Sequence, residues 1–216
     1  MRVHLLALLV LLPALADRWV FAPFGRGARA RLGVYVRIVA WQWVASAAIL
    51  LCIGARTVWF APSDAAALPW LPPAWAADLA AAAFVAAVVW PVLRRRPRPR
   101  SDARAFGPSH RAEPAVWALV ALTSGVCEEV MFRGFLLGYL HVFPWHWGWL
   151  PALGISSLAF GLGHLYQGGG ACLRAAAAGL LFCGLYLASG SLLLPVAAHV
   201  AGDLAGLLPS LRRSNR

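Results

Sequence analysis

Few ionisable side chains lie in the apolar stretches of this chain, and those few can do chemistry. The chain has eight acidic residues. Three of them, Glu128, Glu129 and Asp203, sit inside long apolar segments, as do Arg133, His164 and His199. An ionisable group at the centre of a bilayer costs roughly 2.5–3.5 kcal/mol on insertion scales, so it marks function by default. Spacing sorts these groups. Glu129 and Arg133 are four apart, which stacks them on one helix face and predicts an ion pair. Glu128 is turned about 100° away and is left without that partner. Phe160 and His164 share a helix face by the same spacing, and so do His199 and Asp203. A carboxylate and two imidazoles from three helices can do acid–base work. Glu128 can take a proton from water while His164 helps to hold that water, and His199 can stabilise an oxyanion.

Other readings stay open. A polar cluster can simply glue helices together, although Ser, Thr and Asn usually do that. Glu128, His164 and His199 also make a plausible ligand set for zinc, but the HExxH signature of zinc peptidases is absent. Intramembrane Glu and His suit a proton relay. Transporters, however, tend to show internal repeats. None is visible here, and the six residues singled out above all lie in the C-terminal half.

These residues must be positioned by apolar helices. Of the 216 residues, 61% are hydrophobic and 12% charged, against roughly 45–50% and 25% in soluble domains. A soluble fold of this length could not hide so much apolar surface, whereas a bilayer can. Seven segments are candidate spans: about 3–16, 34–55, 75–93, 114–140, 148–165, 173–188 and 191–208. The expected fold is all-α, a polytopic membrane bundle of about seven transmembrane helices. Ala14-Leu15-Ala16 resembles a signal-peptidase site. Cleavage there would put Arg18, Arg26, Arg29 and Arg31 outside, so an uncleaved helix is expected.

The net charge of +11 comes entirely from arginine. The arginines lie between apolar segments, which favours anionic cytoplasmic headgroups over nucleic acid as the partner. Arg94, Arg95, Arg96, Arg98, Arg100, Arg104 and Arg111 follow the third segment, and Arg212, Arg213 and Arg216 follow the seventh. The positive-inside rule then places the N-terminus outside and the C-terminus in the cytoplasm. Cys52, Cys127, Cys172 and Cys183 form no CxxC pair and read as small core hydrophobes. Trp145, Trp147 and Trp149, with His141 and His146, read as a solvated interfacial belt. Gly134 with Gly138, and Gly202 with Gly206, have GxxxG spacing. The Ala- and Arg-rich composition implies a GC-rich bacterial source, hence a bacterial inner membrane.

The motifs resemble a family. EEVMFRG at Glu128–Gly134 is similar to the EExxxR motif of the CAAX protease and bacteriocin-processing (CPBP) membrane proteins. FGLGH at Phe160–His164 matches its FxxxH motif. HVAGD at His199–Asp203 matches its HxxxN motif with Asp in place of Asn. The resemblance covers roughly residues 113–208, in family order. It implies an intramembrane endopeptidase in which Glu128 and His164 activate water and His199 and Asp203 stabilise the oxyanion. Glu129 and Arg133 complete the set. An ionised Asp offers no N–H donor, so Asp203 has three open roles: orienting His199, staying protonated, or ligating a metal.

The resemblance also implies a glutamate-type mechanism with no required cofactor, with zinc as the alternative. The expected substrate is a membrane-anchored protein or peptide, and nothing in the chain demands a prenyl group. A non-proteolytic binding or immunity protein of the same fold is the main rival. Three parts are expected: residues 1–112 as N-terminal helices with the basic loop, 113–208 as the catalytic membrane core, and 209–216 as a basic tail.

Overall fold

The structure, a computed structural model, describes residues 2–15, 28–94, 113–142 and 146–205. The basic stretch beyond Arg94, Arg18 and Arg26 of the first loop, the C-terminal tail, Trp145 and Gly206 lie outside the described residues, whereas Arg29 and Arg31 stand in the first turn of the helix that begins at Ala28 and not in a loop. The helices are α1 (Arg2–Leu15), α2 (Ala28–Ile53), α3 (Ala55–Trp59), α4 (Ala74–Arg94) and α5 (Glu113–Glu129). A π-helical segment, Val130–Leu137, continues α5 into α6 (Gly138–Val142). Then come α7 (Trp149–Leu162), α8 (Gly169–Ser189) and α9 (Leu193–Ala205). Two short 3-10 turns, Ser63–Ala67 and Leu165–Gln167, complete the order. Extended pairing among the described residues is limited to an isolated antiparallel bridge between Phe60 and Ser191.

Each of the seven apolar segments is mainly helical in its described part, with Gly54, Gly148, Gly163, His164, Ser191 and Leu192 outside the helices. Among the described residues, three helices are long and apolar enough to cross a membrane: Leu32–Ile53, Ala115–Val142 and Gly169–Ser189. Ala74–Trp90, Trp149–Leu162 and Leu193–Ala205 are apolar but shorter. The 13 residues of α9 reach only about 20 Å at 1.5 Å per residue, against a hydrocarbon core of about 30 Å. The shortening has local causes. Gly163 closes α7 before His164, and Gly190 closes α8 in the left-handed conformation at φ 73°, a backbone that glycine adopts without strain. Only Gly190, Ser191 and Leu192 separate α8 from α9, so the two helices run antiparallel. Pro195 is tolerated because it lies in the first turn of α9, where its missing N–H has no intrahelical acceptor.

The π-helical segment is the centre of the bundle. Val130, Met131, Phe132, Arg133, Phe135, Leu136 and Leu137 are all buried, and α1, α2, α3, α7 and α8 pack around it. A π turn inserts one residue into the helical ladder. The hydroxyl of Ser156 on α7 donates to the Phe132 carbonyl at 3.0 Å. In the outer layer, α9 lies against α4, α5 and α8, α2 lies against α5, and α8 runs along α7.

Two glycines set the close approach of α7 and α8. A Cβ on Gly179 would sit 3.1 Å from the Ser157 Cα and Cβ, and one on Gly161 would meet the Cys172 carbonyl at 2.8 Å. Of the GxxxG positions, Gly134 is packed hard against Val58, while a Cβ on Gly138 would meet nothing within 4 Å. The outer surface carries exposed Leu8, Val44, Leu51, Leu79, Leu119, Leu150, Leu158, Leu173 and Leu180. An apolar exterior of this kind belongs in lipid.

The tryptophan belt needs correction. Trp149 is buried in the protein and not solvated. Its indole Nε1 donates to Asp64 Oδ2 at 3.2 Å, and the His141 ring stacks on it at 3.9 Å. His141 Nε2 lies 3.1 Å from the same carboxylate oxygen. His141 is therefore a packed residue joining α6 to the Ser63–Ala67 turn, whereas His146 is exposed. The cysteines are free, with Cys127 and Cys183 in the core and Cys52 on the surface.

Candidate active site

The six residues singled out by sequence gather where α5, the π-helical segment, α7 and α9 meet. At the end of α5, Glu128 and Glu129 diverge as helical geometry requires. Glu129 points into the bundle and is fully buried. Arg133 Nη1 donates to Glu129 Oε1 at 2.8 Å. The same oxygen lies 2.7 Å from His199 Nδ1 on α9.

The guanidinium of Arg133 is held on several sides. Nη2 donates to the Gly179 carbonyl at 3.3 Å. The Phe160 ring lies 4.4 Å away on α7 and the Phe182 ring 5.2 Å away on α8. Aromatic faces stabilise a cation where water cannot. The smallness of Gly179 keeps its carbonyl within reach, because a side chain there would push α8 off α7. Glu129 thus does more than the expected pairing, since one oxygen ties the arginine and also fixes a histidine.

His199 is oriented by Glu129, which corrects the possibility that Asp203 does so. Asp203 Oδ2 lies 3.7 Å from His199 Nε2, too long for a hydrogen bond. The His199 ring is also stacked on Phe182 at 5.1 Å and meets Phe160 edge-on at 5.7 Å. With Nδ1 engaged by a carboxylate, Nε2 is the ring nitrogen left outside that contact. It faces Glu128 Oε2 at 3.8 Å.

Glu128 lies on the other side of the same helix turn, its side chain 15% exposed. Its Oε1 accepts a hydrogen bond from Gln42 Nε2 on α2 at 2.8 Å. Its Oε2 is buried and takes no hydrogen bond from the described residues. His164 departs from the expected helical placement, because α7 ends at Leu162 and His164 occupies the turn that follows. It still meets Phe160. The rings are 4.8 Å apart, and His164 Nδ1 donates to the Phe160 carbonyl at 2.9 Å. This leaves Nε2 outside that hydrogen bond. His164, His199 and Asp203 all lie within electrostatic reach of Glu128. Asp203 stands at the outer edge with its side chain 39% exposed.

The zinc alternative can be tested against this geometry. Among the described residues no three His, Cys, Asp or Glu side chains converge closely enough to hold a metal ion. As placed, the donor set does not form a metal cage.

Sequence reasoning missed Gln42 and its neighbour Ser124. The signal was present, because Gln42 is the lone amide inside an apolar segment, and such a group seeks a partner across helices.

No curated protein and no solved structure matches the chain. Residues 110–205 match the family described as type II CAAX prenyl endopeptidase Rce1-like. That stretch holds all six motif residues and runs from the start of α5 to the end of α9. Over that stretch, a little under half of the chain, the protein is similar to the CAAX prenyl endopeptidases.

Proposed function

We propose that this protein is an intramembrane endopeptidase that cleaves membrane-anchored proteins or peptides with a water activated by Glu128. The observation that supports this most is the state of the Glu128 carboxylate. One oxygen is held by Gln42, and the other is buried, accepts nothing from the described residues and faces His199 Nε2 at 3.8 Å. Two polar atoms that far apart can share one water at about 2.8 Å from each.

In the proposed reaction Glu128 Oε2 takes a proton from that water, with the His164 imidazole helping to hold it. The hydroxide oxygen bonds to the scissile carbonyl carbon, and the carbonyl oxygen becomes an oxyanion. His199, carrying a proton on each ring nitrogen from the outset and paired at Nδ1 with the Glu129 carboxylate, donates to the oxyanion from Nε2, and Glu129 balances its charge. Glu128 then passes its proton to the leaving nitrogen as the C–N bond breaks.

The test is cleavage of a membrane-anchored reporter peptide by purified, reconstituted protein. Glu128→Gln keeps the size but cannot act as a base, so turnover falls by at least about 10²-fold while the protein still inserts. Wild-type turnover by this variant would sink the mechanism. We also propose that no metal is needed. Activity then survives stringent chelation, and stoichiometric zinc in active protein, with activity lost to chelator and restored by Zn²⁺, would reverse that assignment.

The proposed setting is a bacterial inner membrane with the basic loop in the cytoplasm. Labelling of Asp102→Cys from outside intact cells should therefore fail, and efficient labelling would invert the topology.

A further inference from the structure

We infer that Gln42 is a positioning residue for Glu128, so that the working site extends beyond residues 110–205 onto α2. The inference rests on the reading of Glu128 as the base. Gln42 is 5% exposed. Its amide nitrogen donates to Glu128 Oε1 at 2.8 Å. Ser124, one turn before Glu128 on α5, lies 3.3 Å from that nitrogen and 3.4 Å from the amide oxygen. The amide is thus braced by a hydroxyl on the same helix as the carboxylate it serves.

The brace matters because of how a glutamate moves. The last torsion of its side chain is broad and roughly two-fold. Unrestrained, its two oxygens exchange places and the carboxylate plane wanders. Gln42 holds Oε1, and this is what leaves Oε2 turned toward His199 Nε2. An amide suits the task. It donates without adding charge beside Glu128, Glu129 and Asp203, which already lie close together. A plain helix-joining role is served one turn further on, where Ser46 Oγ donates to the Cys127 carbonyl at 3.3 Å. The contact from Gln42 goes instead to the carboxylate whose second oxygen faces His199 Nε2.

The experiment measures kcat and KM for cleavage of a membrane-anchored peptide by the full-length reconstituted protein. Gln42→Met keeps the length and removes the donor. It lowers kcat about 10- to 100-fold, because a small misplacement of a reacting group has effects of that order, and it leaves KM within about two-fold. Ser124→Ala loosens the amide without deleting it and lowers kcat less, by about 2- to 5-fold on the same scale. Ser46→Ala leaves both parameters unchanged. In a Glu128→Gln background, Gln42→Met adds no further loss to the residual turnover, because the two act as a unit.

An unchanged kcat in Gln42→Met overturns the inference, as does an effect confined to KM or a full extra loss on top of Glu128→Gln. Should Gln42→Met fail to fold, Ser124→Ala decides alone: reduced kcat at constant KM supports positioning, and unchanged kcat rejects it. The two assignments fail separately. Full turnover by Glu128→Gln removes the base itself. Its loss, with Gln42→Met fully active, removes only the positioning.

Discussion

Two adjacent glutamates on one helix turn face opposite conditions. Glu129 looks inward. It is sealed from solvent, and its Oε1 holds both Arg133 and His199. Glu128 lies on the other side of the turn and is partly accessible; each glutamate has an Oε2 without a partner among the described residues, but that of Glu128 faces His199 Nε2. The inward side is built to be immobile: an ion pair with no water around it, a backbone carbonyl on the guanidinium, and aromatic rings beside the cation. The outward side is built to react, with groups set slightly too far apart to satisfy one another. The gaps from His199 Nε2 to Glu128 and to Asp203 are 3.8 Å and 3.7 Å. A site with every hydrogen bond made has no place for a substrate; a site with none made would not hold its shape. Dividing the two conditions between neighbouring residues meets both needs.

The largest expected effect attacks the inward side. Removing one partner of a buried ion pair costs about 3–5 kcal/mol, because the other charge stays buried and unpaired. Arg133→Ala leaves Glu129 alone in the bundle centre and removes the cation between Phe160 and Phe182. It should lower the thermal stability of the detergent-solubilised protein by that order and abolish activity with it. A variant as stable as wild type but slow would mean that Arg133 contacts substrate, and the division between the two sides would fail.

Next in size is the outward side. Glu128→Gln should cost at least about 10²-fold in turnover, which is about 2.7 kcal/mol of barrier, with no loss of thermal stability. The Gln side chain still fills the place of Glu128 and removes a charge close to two other carboxylates. If Glu128→Gln were as unstable as Arg133→Ala, both glutamates would be structural and the proposed mechanism would lose its base.

Much of this contrast can be read from the sequence, because it depends on helix periodicity. A four-residue step pairs Glu129 with Arg133, and a one-residue step sends Glu128 elsewhere, whatever the rest of the fold does. The all-helical architecture is legible for a similar reason, since apolar runs of this length must satisfy their own backbone hydrogen bonds. What the sequence conceals is set by contacts between helices. The π-helical segment has no signature of its own in VMFRGFLL. That Glu129 rather than Asp203 orients His199 depends on how α9 is turned against α5. Gln42 lies 86 positions from Glu128, and no local pattern connects them. The early end of α7, which puts His164 in a turn, is hinted at only by Gly161, Gly163 and the Gly168–Gly170 run.

The smallest expected effect concerns Asp203, and it tests how open the outward side is. An ionised Asp cannot donate to an oxyanion, and it sets a negative charge near the place where another must form. The 3.7 Å gap to His199 Nε2 shows that it does not orient the histidine by a hydrogen bond. Asp203→Asn removes the charge and adds an N–H donor in the same volume. In a water-excluded site an oxyanion donor is worth about 10²- to 10³-fold. This side chain is 39% exposed, so solvent screening reduces the gain to about 2- to 10-fold. Turnover of the reporter peptide should therefore be kept or raised, with thermal stability unchanged. A loss beyond about ten-fold, together with loss of bound metal, would make Asp203 a ligand and reverse the metal-free assignment. A loss without any metal would instead mean that the carboxylate is needed as an acceptor, and the outward side would then have a second committed proton carrier beside Glu128.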